Sequence, residues 1–527
     1  MPWIWVFLLS AVLVAFTSFV LPRRRGPLPP GPLRWPLIGN GLDLWCKHPW
    51  KVYARWAQEY RSDILSLQIP GATIIILNKE HVVQDLFVKR GLIYSDRPYT
   101  AFFEKLGISR IFVFQDYGER WKNNRKAFKR YLGTETESVI RSNELLSCRR
   151  LLISLLTGND HQVDFRKAVN DFFLSATYGI PPSQQDEHVA LTQESAVLLK
   201  RLMIQGLVFE FLPFLASLPT WFTAAGVTRG VGVVGELVDK MMRTPFESAK
   251  ADSIQGARRV SVAGRFFRFD KELSNISNDE EISIIDVLGT SYAAGTDTVV
   301  ALVNSFALAM VLYPDIQRKA YTILNSTLRG RLPALKDYGT IPYIDALVQE
   351  VVRWNPIAPL GVPHVLRQDD VYKGYILPKG SICIANTWNI LHDEERYGPN
   401  IDEFIPERFL NADGTLNETR AKTDVAFGFG RRTCPGESKS LSLYSMSVWL
   451  STALRDIARE FAWILFASVL SAYELFDARD ENGMPLYRSK IEYTTEIVSS
   501  APHFKCQFRL RPGITRAMIH EAVGPVD

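Results

Sequence analysis

A single cysteine lies in a loop of glycines and arginines, FGFGRRTCPG, from Phe427 to Gly436. Glycines at 428, 430 and 436 allow tight turns and a close approach of the backbone to a flat ligand, because glycine has no Cβ. Arg432, two residues before Cys434, can pair with an anionic group. The alternative is a buried structural cysteine, which would not need this combination of glycine and arginine.

The chemistry that fits this loop is axial thiolate ligation of haem iron. A helix that begins shortly after the cysteine would favour the thiolate through its dipole and its free N–H groups. A thiolate on haem iron pushes electron density toward O–O cleavage. The pattern therefore predicts Cys434 as the iron ligand and Arg432, Phe427, Gly430 and Gly436 as cofactor-binding residues of the same loop.

A second segment, Ser283 to Pro314, predicts a long apolar helix that ends at proline. Its middle contains AGTDT, beginning at Ala294. Gly295 would leave room against a flat cofactor, and a helix loosened there could admit small ligands. Asp297 and Thr298 supply the carboxylate and hydroxyl that proton delivery to oxygen needs. The alternative is a core helix whose polar side chains bond back to backbone carbonyls.

A third pattern predicts a structural clamp. Glu350 and Arg353 are three residues apart on the predicted helix PYIDALVQEVVRW, and the later PERF sequence supplies Arg408. Such pairs are common on solvated helix faces, but apolar neighbours favour partial burial, where the carboxylate would pair with a second guanidinium. We expect Arg408 to be that guanidinium and the trio to clamp the loop that presents Cys434.

The N-terminus predicts a membrane anchor. Trp3 to Leu21 contains nineteen residues without a charge, about the length that a bilayer core requires. Three arginines, 23 to 25, follow this run, whereas a secretory signal would carry its positive charge before the run and a cleavage site after it. We expect residues 1–21 to span the endoplasmic reticulum membrane once, with the rest of the chain cytosolic. A cleaved signal is the alternative.

The remaining chain predicts a mainly α fold with small β-sheets. Residues 22–40, rich in proline, predict a stiff hinge or an ordinary linker, and residues 41–527 predict one large domain. A hairpin is expected over 63–78, a helix from Lys79 that Gly91 can end, mostly helices over 116–281, and strands within 371–386. A net charge of +5 is too mild to indicate nucleic-acid binding, and five cysteines without paired spacing fit a reducing compartment.

Together these motifs resemble a microsomal cytochrome P-450, a haem-thiolate monooxygenase, over essentially the whole chain. WKNNR, AAGTDT, EVVR, PERF and FGFGRRTCPG carry the resemblance, and IYSDRP, RWNPIAPLGVPH and IANTW further resemble the fungal branch of O-methylsterigmatocystin oxidoreductase. The resemblance implies the cytochrome P-450 fold, haem b with a thiolate ligand, and four partners for its propionates: Trp121, Arg125, His364 and Arg432. It also implies that Ala294, Gly295, Asp297 and Thr298 handle oxygen and protons.

The implied reaction inserts one atom of O2 into a lipophilic small molecule (a terpenoid, polyketide or aromatic compound) in fungal secondary metabolism or detoxification. Electrons would come from NADPH through cytochrome P-450 reductase, with cytochrome b5 as an optional second partner. The basic residues of WKNNRKAFKR predict the docking surface, a solvated basic face being the alternative: Lys122, Lys126, Lys129 and Arg130. Two other functions stay open, a reductase-independent haem-thiolate isomerase or peroxygenase and a haem-binding protein without activity.

Three regions are expected to wall the substrate pocket: Tyr292, Thr100 to Phe114, and Ile357 to Gly361. The apolar segment Gly206 to Phe222 predicts either contact with the membrane surface or buried helix ends. Three N-x-S/T sites would need lumenal exposure for glycosylation, which the predicted topology denies them: Asn275, Asn325 and Asn417.

The segment after the cysteine loop departs from the family pattern, C-x-G-x-x-[LI]-A running straight into an apolar helix. Here the matching pair is Ile457-Ala458, so that about eighteen residues, 438–455, are surplus. Ser438 to Ser440 can be coded with GTAAGT, a splice donor, and Arg455-Asp456 with an AG acceptor in the same phase. Joining them gives one Asn codon and the loop CPGENIAREF. We predict a translated intron; a true insertion, which could leave the protein inactive, is the alternative.

Overall fold

The computed structural model describes residues 26–36, 38–98, 101–133, 136–158, 160–211, 224–256, 259–269, 277–417, 423–436, 457–487 and 491–523. The predicted anchor, the start of the hinge, the side chains of Gly206 to Phe222, Asn275 and the surplus segment 438–455 lie outside the described residues. Among the described residues, one helix, Asn278–Leu312, is long and apolar enough to cross a membrane, and 78% of its most apolar window is buried inside the protein.

Helices dominate the described chain, as the hydrophobic periodicity predicts. They are α1 (Pro49–Glu59), α2 (Glu80–Val83), α3 (Ala101–Lys105), α4 (Glu119–Tyr131), α5 (Glu137–Ser154), α6 (His161–Tyr178), α7 (Asp186–Phe211), α8 (Ala224–Ile254), α9 (Val262–Phe269), α10 (Asn278–Leu312), α11 (Pro314–Leu328), α12 (Pro342–Trp354), α13 (Thr387–Leu391), α14 (Glu394–Tyr397), α15 (Ile457–Ala472) and α16 (Arg516–Glu521).

Short strands form three small sheets. They are β1 (Ile64–Ile69), β2 (Ala72–Leu77), β3 (His364–Val365), β4 (Asp370–Tyr372), β5 (Tyr375–Leu377), β6 (Ile382–Ala385), β7 (Tyr473–Arg479) and β8 (Lys505–Leu510). The order in the four-stranded sheet is β1-β2-β6-β3, and β4-β5 and β7-β8 form two-stranded sheets. The predicted hairpin over 63–78 is confirmed, with Ile69 paired to Ala72 across a turn in which Gly71 has φ of 79°. The predicted strands within 371–386 are confirmed as β4, β5 and β6.

The predicted helix after Lys79 is confirmed, with one difference in its geometry. It begins as α2 and continues as a π-helix from Gln84 to Lys89. Phe87, in this π-helical turn, stacks on the ring of His364 with a centroid distance of 4.0 Å. The turn therefore brings the π-helix against β3, which supports one edge of the candidate site.

The long apolar helix predicted over 283–314 is confirmed as α10. It begins earlier than predicted because Ser277 caps it, accepting a hydrogen bond from the Glu280 backbone N–H at 3.2 Å. Pro314 then begins α11. A helix that is apolar on nearly all sides belongs in a core, and Phe306 of α10 stacks on Phe466 of α15 with a centroid distance of 3.9 Å. The central helix and α15 thus form the frame on which the site is built.

Candidate active site

The cysteine loop, Phe427 to Gly436, turns tightly, so that Cys434 lies next to Phe427 at the beginning of the loop. The Cys434 backbone N–H donates to the carbonyl of Phe427 at 2.7 Å, and Gly430–Arg432 form a 3-10 turn between them. Gly430 has φ of 56°, and a Cβ there would lie 2.3 Å from the carbonyl oxygen of Phe87. Glycine at 430 is thus required by the π-helical turn packed against the loop.

Arg432 is buried beside the cysteine and is held in place by backbone carbonyls. Its Nε donates to Ser95 O at 2.7 Å and one terminal nitrogen donates to Gln115 O at 2.6 Å. The ring of Trp121 lies 4.6 Å from the guanidinium carbon. Its other terminal nitrogen is buried and has no hydrogen-bond partner among the described residues. Burial lowers the pKa of Arg432 to about 10.

Arg97 is a second buried guanidinium at this site, and the sequence reasoning missed it. Its Nε donates to Val113 O at 3.0 Å, and one terminal nitrogen donates to the carbonyls of Val362 and Pro363, both at 2.7 Å. Burial, followed by repulsion from Arg432, lowers the pKa of Arg97 well below its usual value. The sequence signal is the arginine before a proline in IYSDRP, which contributes to the family resemblance but does not by itself predict a buried guanidinium.

His364 is also at the site, but its hydrogen bonding does not favour the predicted role. Its Nδ1 lies 2.6 Å from the carbonyl of Tyr94, so that Nδ1 carries the proton. Burial, then Arg97 and Arg432, lower the pKa of His364 well below its usual value. Nε2 of the neutral ring is then an acceptor, so that a hydrogen bond from His364 to a propionate would require the protonated ring. Arg97 is better suited than His364 to bind a propionate.

Arg125 completes a cluster of three guanidiniums beside Cys434. No described residue accepts a hydrogen bond from Arg125, and burial lowers the pKa of Arg125, an effect that the neighbouring Cys434 partly offsets. Arg97 and Arg432 are held by backbone carbonyls, and Arg432 keeps a buried N–H without a partner among the described residues. Together with Arg125, these cations suit a ligand that carries two negative charges. These residues therefore fit a haem group, with its propionates at the arginines and its iron at the Cys434 sulfur.

The AGTDT segment of α10 has one exposed position, Ala294. The Thr298 hydroxyl donates back to the Ala294 and Gly295 carbonyls, at 2.9 and 3.1 Å. A Cβ on Gly295 would lie 2.3 Å from the Phe173 ring of α6. The expectation that Gly295 leaves room against a cofactor is therefore wrong in this structure: the glycine allows α6 to pack closely on α10.

Asp297 and Tyr292 both face α6. The Asp297 carboxylate pairs with Arg166 at 2.9 Å, and both side chains are partly exposed. Tyr292 is fully buried, and its hydroxyl donates to the Asn170 side chain at 3.2 Å. The hydroxyl of Tyr292 is thus held by α6, and the expected place of Tyr292 in the wall of the substrate pocket stays a prediction.

The predicted contacts of the clamp are confirmed. Arg353 binds both oxygens of Glu350, at 2.7 and 2.8 Å, and Arg408 donates to Glu350 at 3.2 Å, with all three side chains buried. The free N–H groups of the two arginines donate to backbone carbonyls of the preceding loop: Leu391, Tyr397, Asn400, Ile401 and Glu403. These hydrogen bonds thus fix residues 391–403. The clamping of the Cys434 loop itself stays a prediction, which is supported by the presence of Phe409 and Phe429 in one hydrophobic cluster.

Comparisons with known proteins agree with this geometry. The family model described as Cytochrome P450 matches residues 29–461. The cytochrome P450 monooxygenase eriA of Hericium erinaceus is 35% identical, over 97% of this chain and 94% of that protein. The monooxygenase ple1 of Rhodocybe pseudopiperita is 34% identical (95% and 93%), and tryptamine 4-monooxygenase of Psilocybe cyanescens is 34% identical (95% and 97%). The fold, the cysteine loop and these relatives together show that the chain belongs to the cytochrome P450 family.

Proposed function

We propose that this protein uses haem, NADPH-derived electrons and O2 to insert one oxygen atom into a lipophilic small molecule. The observation that carries the proposal is the buried group of arginines beside Cys434, with an N–H of Arg432 left without a partner among the described residues. When bound, thiolate-ligated haem supplies the activation of O2. Cys434 would hold the iron, and Arg97, Arg125 and Arg432 would hold the propionates.

Several side chains then act on the geometry of the site. Trp121 stacks on Arg432 and so keeps the guanidinium in one plane. The backbone of the loop before α4 is tied to the same cations, because Gln115 O and Val113 O accept from Arg432 and Arg97. Binding of the cofactor and the position of this loop are therefore linked.

The proposed substrate class is supported by the two apolar segments whose carbonyls accept from Arg97. Residues 357–363, IAPLGVP, contain no polar side chain, and Val113 and Phe114 are half-buried in the loop before α4. An apolar site of this kind favours a lipophilic substrate, such as a terpenoid, polyketide or aromatic compound. The relative from Psilocybe cyanescens is named for tryptamine, an aromatic compound.

The same proposal includes the location of the protein. Residues 1–21 would anchor it in the endoplasmic reticulum membrane, and residues 22–40 would form the hinge to the haem domain.

Thr298→Ala tests proton handling at this site. The hydroxyl already bonds to its own helix, so it can relay a proton only by exchanging that bond. We expect product formed per NADPH to fall by roughly tenfold, with peroxide released instead. Thr298→Ser should restore coupling. Thr296→Ala, which removes a buried hydroxyl with no partner among the described residues, is the matched control, and equal coupling in all variants would show that Thr298 serves only its helix.

A second test concerns the docking of the reductase on α4. Lys122 pairs with Glu119 and Arg130 with Glu280, whereas Lys126 and Lys129 are exposed and have no ion pair with a described residue. We expect Lys126→Glu with Lys129→Glu to raise the reductase concentration for half-maximal turnover by roughly tenfold at low salt, because charge complementarity speeds association. Lys336→Glu with Lys505→Glu is the control of equal charge change. If both pairs behave alike, α4 is only a solvated basic face.

We also propose that residues 438–455 are surplus to the domain. Arg459, in the first turn of α15, donates to Asp424 at 2.8 Å, and its guanidinium lies 4.9 Å from the Phe427 ring centroid. Phe427 is the residue whose carbonyl accepts from the Cys434 N–H. The chain therefore leaves the cysteine loop at Gly436 and returns beside that loop at Ile457. This supports the view that the helix which follows the cysteine in the family begins here at Ile457.

A further inference from the structure

Asp286 is a fully buried carboxylate in the N-terminal half of α10. Its Oδ1 accepts from Nε of Arg110 at 2.8 Å, and its Oδ2 accepts from a terminal nitrogen of Arg120, also at 2.8 Å. Arg110 lies in the loop before α4, and Arg120 is in the first turn of α4. Removing one partner of a buried ion pair is strongly destabilising, so Asp286 is a fixed support for both arginines.

Arg110 has a second carboxylate partner on a different helix. One terminal nitrogen of Arg110 donates to the carboxylate of Asp239 on α8. The Asp239 side chain is 44% exposed, compared with 0% for Asp286. Arg243, one turn further along α8, also donates to Asp239 at 3.1 Å. Arg110 thus bridges two carboxylates, the buried Asp286 inside the protein and Asp239 at the surface.

The loop that carries Arg110 is a wall of the proposed ligand site. The Phe112 N–H donates to the hydroxyl of Thr290 at 3.1 Å, one helical turn before the exposed Ala294. At its far end the loop is tied to Arg97 and Arg432. These bonds hold residues 112–115 against α10 and the arginine cluster, so a path past this loop would have to open at the start of the loop.

The start of the same loop is packed against α8. A Cβ on Gly235 of α8 would lie 2.6 Å from the carbonyl oxygen of Lys105, and one on Gly107 would lie 3.3 Å from Val238. The two backbones are therefore in close contact, with Arg110–Asp239 as the charged pair at that contact. A ligand that passes between α8 and the loop has to separate both.

We propose that Arg110–Asp239 is the latch of a ligand path between α8 and residues 106–111, with Asp286 as its support. The proposal rests on the proposed function, because that function places the ligand beside Ala294. The two carboxylate partners of Arg110 differ in their exposure to solvent: Asp239 is half-exposed, whereas Asp286 is fully buried. Water can replace Arg110 at the half-exposed Asp239 at low cost, whereas the buried contact with Asp286 stays closed. Opening therefore breaks one outer ion pair and leaves the inner support intact.

Asp239→Asn tests the latch in the full-length, haem-loaded protein. The probe is 4-phenylimidazole, and its binding is followed by stopped-flow haem absorbance. Loss of an ion pair of this exposure should raise the association and dissociation rate constants together by about two- to fivefold, while the dissociation constant changes less. Salt should speed binding to the wild type and have little effect on the variant, because it screens the exposed pair. Asp239→Glu should restore the slow rates.

Two control variants separate a latch from general loosening. Arg243→Gln removes the other partner of Asp239 without touching the loop, and Asp171→Asn removes a buried carboxylate that binds Arg150 at 3.0 Å away from the loop. Both should leave the rates unchanged. Unaltered rates in Asp239→Asn, or equal acceleration in Asp171→Asn, would overturn the latch alone. A wild-type protein that gives no absorbance change with the probe would instead contradict the proposed function, and with it the ligand path.

Discussion

Replacement of Cys434 by alanine is expected to abolish oxygenation while leaving the fold in place. The backbone bond from residue 434 to Phe427 O does not involve the side chain. Arg97, Arg125 and Arg432 also stay, so the variant should still bind haem, though more weakly. The thiolate, however, supplies the electron push toward O–O cleavage, and the loop from Phe427 to Gly436 contains no other thiol. Product formation should fall to the level without enzyme.

The measurement is product formed with NADPH and reductase, normalised to bound haem. Cys46→Ala and Cys506→Ala, two other partly exposed cysteines, are the matched controls and should retain full activity. Oxygenation by haem-loaded Cys434→Ala would contradict the assignment of the ligand. Full activity of the wild type with hydrogen peroxide alone, and none with reductase, would instead favour the peroxygenase alternative.

Replacement of residues 438–456 by a single asparagine is the second change with a large expected effect. It produces CPGENIAREF, which places the N-terminus of α15 a few residues after Cys434. The free N–H groups and dipole of a helix N-terminus favour a nearby thiolate. A shorter connection also lowers the entropic cost of closing the loop. We therefore expect the shortened protein to bind haem severalfold more completely than the chain as written.

Haem occupancy is measured by absorbance per polypeptide after expression of both forms under the same conditions. A variant with an equally long Gly/Ser segment in place of 438–455 separates the length of the segment from its sequence. Sequencing of the cDNA tests the intron directly. A transcript that retains all the codons of 438–455, in cells whose protein of that length is active, would show a true insertion.

Local patterns of the sequence predicted the parts of the fold that depend on neighbouring residues. The hairpin over 63–78, the strands β4 to β6 and the central helix α10 follow from periodicity, turns and caps. The contact between Glu350 and Arg408 was predictable because a buried carboxylate between apolar residues requires more than one cation. In each case the prediction depends on a property of the residues themselves: their hydrophobic spacing, their turn or cap preference, or their charge.

Contacts between residues that are distant in sequence could not be predicted in the same way. Arg97 is buried because Val362 and Pro363, distant in sequence, supply its acceptors. Gly295 was interpreted through a cofactor, whereas the ring that requires it belongs to Phe173. Periodicity likewise predicts that α10 is buried, but it does not say which neighbour covers each face, such as the contact of Tyr292 with Asn170 of α6.

The central claim is that Cys434 binds the iron of a haem group as a thiolate. The carbon monoxide difference spectrum of the reduced, full-length protein tests it most directly. The account predicts a Soret band shifted strongly to the red of the band given by haem proteins with a histidine ligand, and loss of that shift in Cys434→Ala. A haem-loaded wild-type protein whose Soret band shows no such shift would contradict it.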